Sequence, residues 1–126
     1  MTGATGVLGR DILRNLLTTS NATIALLVRP KDNLSPTKRI QDILASVSLD
    51  SSFLSKLVIM EGDITKPNFG LEDNQIQRLQ QDCTQFYHIA ATTDLAALEK
   101  TCWTINIGGT SMATALAWNL YHNGVL

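Results

Sequence analysis

Thr2-Gly3-Ala4-Thr5-Gly6-Val7-Leu8-Gly9 is a T-G-x-x-G-x-x-G turn standing at the start of the chain. Such a turn normally joins the first strand of a dinucleotide-binding βαβ unit to its first helix. Its glycines permit a tight bend and let the backbone approach a pyrophosphate, while the helix N-terminus offers free N–H groups to the anion. The motif needs a strand before it and a helix after it. A helical pattern runs on from Leu8, whereas no strand pattern precedes the turn. The expectation is therefore a dinucleotide binder by ancestry in a chain that looks truncated.

Working outward, Leu8, Ile12, Leu13, Leu16 and Leu17 recur at helical spacing and predict a helix over 8–19. Residues 23–28 (TIALLV) form an unbroken apolar run, the pattern of a parallel strand buried on both faces. Pro30 blocks helix continuation, and 31–35 form a polar loop. Ser35-Pro36 then makes an N-cap and first-turn pair for a helix carrying Ile40, Ile43, Leu44 and Val47. Serine-rich 46–52 is a break before a second buried strand at 57–60 (LVIM). A short helix over 73–82 with Ile76 and Leu79 on one side, a third strand at 85–89 (QFYHI) and a long helix over 97–121 complete the series. In the last helix Ile105, Met112, Leu116, Ala117 and Leu120 are expected to face inward, with Gly124 as its left-handed terminal glycine.

Alternation of this kind means a parallel sheet with right-handed crossovers. The expected fold is α/β, a Rossmann-like doubly wound parallel sheet, incomplete because the first strand and the C-terminal strands are absent. The missing first strand belongs between the strands at 23–28 and 85–89, which leaves two half-sheets with unpaired apolar edges. Residues 1–126 are read as a single partial NAD(P)-binding domain, not expected to be a stable, cooperative monomer alone.

The composition, 44% hydrophobic and 17% charged with net charge -1, lacks the basic excess of nucleic-acid or anionic-membrane binders. Cys83 and Cys102 lack metal-ligand spacing and read as reduced thiols of an intracellular protein. No apolar run approaches the roughly 20 residues of a membrane span, and no signal peptide is visible. The expectation is a cytoplasmic protein with no nucleic-acid partner and no membrane span.

Thr2, Gly3, Thr5, Gly6, Val7, Leu8 and Gly9 are the residues placed to wrap a pyrophosphate. Arg29 ends the strand at 23–28, where cofactor choice is set: an acidic residue there accepts from a ribose 2′-OH, whereas an arginine pairs with a 2′-phosphate. Arg10 follows the third glycine and adds charge beside the same phosphate. Lys31 and Arg39 either join it or are solvated surface cations. The expected cofactor is NADP (NADPH). Asp63 and Ile64 follow the second strand; the carboxylate either accepts from the adenine amine, with Ile64 on the ring, or satisfies loop N–H groups. Ala90 and Ala91, after His88-Ile89, are small residues that let the backbone approach a cofactor at the sheet's carboxyl edge. His88 is positional rather than catalytic, and nothing is spaced with it to hold a metal. Asn106, in T-I-N-I-G-G-T, either holds a water or lysine in a proton relay or is a satisfied helix-interior amide.

The glycine spacing resembles that of the extended short-chain dehydrogenase/reductases. The stretches TGATGVLGRDIL, LLVRPK, GDITKPNFGLED, and HIAATTDL with INIGGTSMATALA are similar to the N-terminal part of the NADP-dependent thioester reductases. That group includes carboxylic acid reductases, fatty acyl-CoA reductases and the terminal reductase domains of nonribosomal peptide synthetases. The resemblance implies reduction of an acyl thioester, on coenzyme A or a phosphopantetheinyl carrier, by NADPH to an aldehyde or alcohol. It implies cofactor binding by Gly3, Gly6, Gly9, Arg10, Arg29, Asp63, Ala90 and Asn106. Such reductases also need a Tyr-x-x-x-Lys pair, in which the lysine lowers the tyrosine pKa for proton donation. Here Ala91 and Val125 stand four residues beyond Tyr87 and Tyr121, so no catalytic residue is assigned. Activity is expected only of the complete protein. The alternatives are another extended reductase or epimerase, against which the 63–71 run argues, or a non-catalytic dinucleotide sensor.

Overall fold

The computed structural model describes residues 1–122, so the expected helix-ending Gly124 lies outside the described residues. The chain divides into two compact units, Met1–Glu61 and Gly62–Leu126.

In the first unit the order is α1 (Val7–Thr19), β1 (Ile24–Val28), α2 (Pro36–Ser46) and β2 (Leu57–Glu61). β1 and β2 pair in parallel, from Ile24 opposite Leu57 to Val28 opposite Glu61. The unbroken apolar run of β1 is buried at Ile24, Leu26, Leu27 and Val28, as a strand covered on both faces requires. Leu13 and Leu17 from α1, and Ile40, Ile43 and Leu44 from α2, complete that core. Ser35 Oγ accepts from the Lys38 N–H at 3.2 Å and Pro36 fills the first turn, so α2 starts where its cap dictates. The ammonium of Lys56 donates to Leu17 O (3.3 Å) and Ser20 O (3.0 Å), placing a cation at the negative end of α1.

Three features of this unit depart from the sequence pattern. Leu8 is exposed, because the buried seam of α1 runs Gly9–Leu13–Leu17 and the Leu8–Ile12–Leu16 row is turned one residue away from it. The serine-rich break runs on into a 3-10 turn, Ser51–Lys56, started by Asp50 accepting from the Ser52 N–H at 2.8 Å. Its Phe53 and Leu54 pack on the core, too short a run to carry a period. Ahead of the glycine turn, Met1 and Thr2 already run alongside β1. Leu27 N–H donates to Met1 O at 3.0 Å, the Met1 ammonium donates to Ala25 O at 2.7 Å, and Thr2 bridges Leu27 in parallel sense. These two residues hold the place of a first strand's carboxyl end.

The second unit contains α3 (Asp73–Asp82), α4 (Glu99–Cys102), a π-helical segment (Trp103–Gly108) and α5 (Gly109–His122). Glu72 and Gln75 form a capping box at the start of α3, with Glu72 N–H donating to Gln75 Oε1 at 3.0 Å. The expected third strand at 85–89 is corrected: only His88 takes part in a bridge. An apolar run becomes a strand only where a neighbour pairs with it over consecutive residues, and among the described residues the ladder has two strands. The expected single helix over 97–121 is also corrected, since it begins at Glu99 and is interrupted by the π segment. The longer π turn re-phases the helix, so one 3.6-residue stripe does not describe both sides. Ala113, Leu116 and Leu120 are buried, whereas Ile105, Met112 and Ala117 are only half-buried.

Leu26→Ala should lower the unfolding free energy by about 2–5 kcal/mol, the cost of a core cavity. Leu8→Ala should change it by less than about 0.5 kcal/mol, as a surface site. Chemical denaturation followed by circular dichroism measures both.

Candidate dinucleotide site

Each glycine of the opening turn does a different job. Gly3 sits at φ +76°, a backbone region that favours glycine. Its carbonyl accepts from the Gly6 N–H at 3.0 Å, which closes the turn. At Gly9 a Cβ would lie 1.9 Å from Gly3 O and 2.7 Å from Gly3 C, so only glycine lets α1 rest on the turn. Gly6 has neither constraint. A Cβ there would meet Gly3 O at 3.5 Å, an ordinary contact, so nothing within the protein demands glycine. A bare backbone at that point fits a ligand whose phosphates must approach it closely.

The electrostatics agree. α1 begins without a side-chain cap and without an acidic residue in its first turn, so its positive end is uncompensated by the chain. Arg10 adds a guanidinium to that end, its Nε donating to Thr5 O at 3.2 Å. A cation at a helix N-terminus is unfavourable unless an anion joins it. Val7 and Leu8 leave 85% and 62% of their surface exposed beside these donors. Thr2 is buried, whereas Thr5 is half-buried at the turn.

Arg29 is exposed directly after β1. The Arg39 guanidinium, from the first turn of α2, donates through Nη1 to the Arg29 carbonyl. Two guanidinium-bearing residues therefore meet at the carboxyl end of β1. Lys31 instead belongs to a tight reversal, bridged to Leu34, with Asp32 and Asn33 both at positive φ. Its ammonium stands 3.9 Å from Asp32. Sequence alone ranks Arg39 and Lys31 equally. The signal that separates them is the Ser35-Pro36 cap, which sets the start of α2 and so places Arg39 in its first turn.

In the second unit Asp63 Oδ1 accepts from Thr65 N–H at 2.9 Å and Thr65 Oγ1 at 2.8 Å. That oxygen performs the loop-satisfying role. Ile64 is half-buried against α5, where a Cβ on Gly109 would come within 2.7 Å of its Cδ1. Ala90 is half-buried and Ala91 exposed. The Asn106 amide is engaged at both ends by Thr92, accepting from its N–H at 2.8 Å and donating to its carbonyl at 3.0 Å. His88 Nε2 lies 3.4 Å from Thr110 Oγ1, and burial holds its pKa below the ordinary 6.5. Among the described residues no group of three metal-ligating side chains gathers, and no helix is long and apolar enough to cross a membrane.

The sequence profile of the NAD-binding male sterility protein family matches residues 1–125, and the chain belongs to that family of nicotinamide-dinucleotide-binding domains. CG8303 of Drosophila melanogaster, provisionally named a fatty acyl-CoA reductase, is 34% identical over 95% of this chain and 23% of its own length. The glycine betaine reductase ATRR of Emericella nidulans is 32% identical over 93% of this chain and 10% of its own. Among solved structures, the terminal R domain from the myxalamid PKS-NRPS biosynthetic pathway superposes with a TM-score of 0.80 and 34% identity. That superposition covers 92% of this chain and 30% of that one. The fold is the Rossmann-like α/β fold of such R domains. The chain spans less than a third of each of these proteins.

Gly9→Ala should destabilise the first unit by about 3 kcal/mol through overpacking against backbone. Gly6→Ala should cost less, about 0.5–1 kcal/mol as a change at the helix N-cap, so the two glycines differ in the size of their denaturation shifts. For His88 the folded pKa lies below the unfolded value, so acid favours the unfolded chain. Stability from this group is complete above about pH 6.5 and is lost as pH falls below it. His88→Gln should flatten the rise of the denaturation midpoint between about pH 5 and 7; an unchanged slope contradicts the assignment.

Proposed function

We propose that residues 1–126 form one NADP(H)-binding domain of a thioester reductase, which reduces an acyl group carried on coenzyme A or a phosphopantetheinyl arm to an aldehyde or alcohol. The observation that carries this reading is the R-domain likeness over 92% of the chain at 34% identity. The family match running through both compact units supports a single domain. A cytoplasmic location goes with this reading, supported by the free thiols of Cys83 and Cys102.

In this assignment Thr2, Gly3, Thr5, Gly6, Val7, Leu8 and Gly9 receive the pyrophosphate, with Arg10 as its counter-charge. Arg29 and Arg39 bind the 2′-phosphate that distinguishes NADP from NAD. Asp63 and Ile64 face the adenine, with Asp63 Oδ1 also held by Thr65 of its own loop. Ala90 and Ala91 stand by the nicotinamide end, held there by Asn106. The bound cofactor supplies hydride to the acyl carbon. The described residues bind and orient, and none is assigned as proton donor.

Arg29→Asp should weaken NADPH binding about tenfold or more, as expected for loss of charge-assisted hydrogen bonds, and leave NADH binding unchanged or better. Equal loss for both cofactors contradicts the 2′-phosphate role. The complete reductase that carries these residues together with a proton donor should oxidise NADPH when given an acyl thioester. Turnover of a nucleotide sugar without net NADPH consumption would contradict the reductase reading.

A further inference from the structure

The π segment Trp103–Gly108 holds two loops at once. Gly109 N–H donates to Thr104 O, five residues back, which defines the widened turn. Inside it, the two hydrogen bonds between the Asn106 amide and the Thr92 backbone imitate a ladder pair with a side chain. At its C-terminal edge, Ile64 rests where a Gly109 side chain would be, since a Cβ would meet its Cδ1 at 2.7 Å and its Cγ1 at 3.1 Å.

The loop that carries Ile64 is itself closed. Asp63 N–H donates to Phe69 O at 2.8 Å, Lys66 N–H to Asp63 O at 3.0 Å, and Phe69 N–H to Lys66 O at 2.9 Å. Asn68 and Phe69 stand at φ 49° and 59°, a region that non-glycine residues hold at a cost. Such a loop has few ways to absorb a push from Ile64. Relaxing the π turn into α geometry would rotate one side of the helix by about 100° against the other. The Thr92 clamp and the Ile64 notch cannot both survive that rotation.

We propose that Asn106 and Gly109 are positioning residues through which one helix register sets both the 63–71 loop and the 90–94 loop, so that the two loops respond together. The functional meaning rests on the assignment of Ile64 and Ala90–Ala91 to opposite ends of the dinucleotide. Occupation of one end then favours the bound geometry at the other.

Amide hydrogen exchange on the complete reductase that carries these residues tests the coupling. Asn106→Leu should speed exchange at Thr92 about tenfold, the scale of one lost hydrogen bond, and should also speed it at Lys66 and Phe69. Gly109→Ala displaces Ile64 without touching Asn106 and should, by reciprocity, speed exchange at Thr92. Ile64→Val perturbs the same notch more gently and serves if Gly109→Ala does not fold. Acceleration confined in each variant to the loop that was altered overturns the proposal. NADPH affinity, measured on the same variants, is a separate arm. If exchange spreads between the loops but affinity is the same in all variants, the coupling stands and the cofactor assignment of Ile64 and Ala90 falls.

Discussion

The Cα of Gly9 lies against the Gly3 carbonyl, and the first unit depends on that approach. With 1.9 Å between a hypothetical Cβ and the oxygen, any side chain would lift α1 off the turn. Once α1 is down, Leu13 and Leu17 reach the buried face of β1, and Ala4 closes beneath them. The same placement leaves the helix N-terminus pointing out of the turn with no cap of its own. The packing of α1 and the exposure of its uncapped terminus are thus two consequences of one missing methyl group.

That uncapped terminus gives the unit its chemistry. Fold stability alone would favour an aspartate or serine before α1 and no cation in its first turn. The chain has Gly6 and Arg10 there instead, and at the end of β1 it gathers Arg29 and Arg39. A net charge near neutrality conceals this local excess. Arg10 stands at the first turn of α1 and Arg29 with Arg39 at the end of β1, which is why the net charge is a poorer guide than its placement.

Sequence is a good guide to this chain where a chemical cause acts within a few residues. The Ser35-Pro36 cap and the apolar runs of β1 and β2 are of this kind. Features set by distant partners are not legible in it. Residues 85–89 have strand composition, yet among the described residues only two strands pair and 85–89 is not one of them, because pairing belongs to the neighbour as much as to the segment. The π segment leaves no mark in periodicity, and the Thr92 backbone that its Asn106 grips is fourteen positions away. Met1 and Thr2 are too few to show a pattern, yet their backbone groups dock on β1. At the site, the glycines and Arg29 are visible as types at known places, whereas the roles of Arg39 and of Asp63 Oδ1 depend on geometry.

An anion site built for a dinucleotide at the first turn of α1 would be perturbed directly by the ligand. Backbone amide shifts of the isotope-labelled chain during titration with NADPH test it most directly. The largest displacements should fall at Gly6, Val7 and Leu8, with Arg29 moving in the same titration. Displacements centred on α3, or none in the opening turn at saturation, would contradict it.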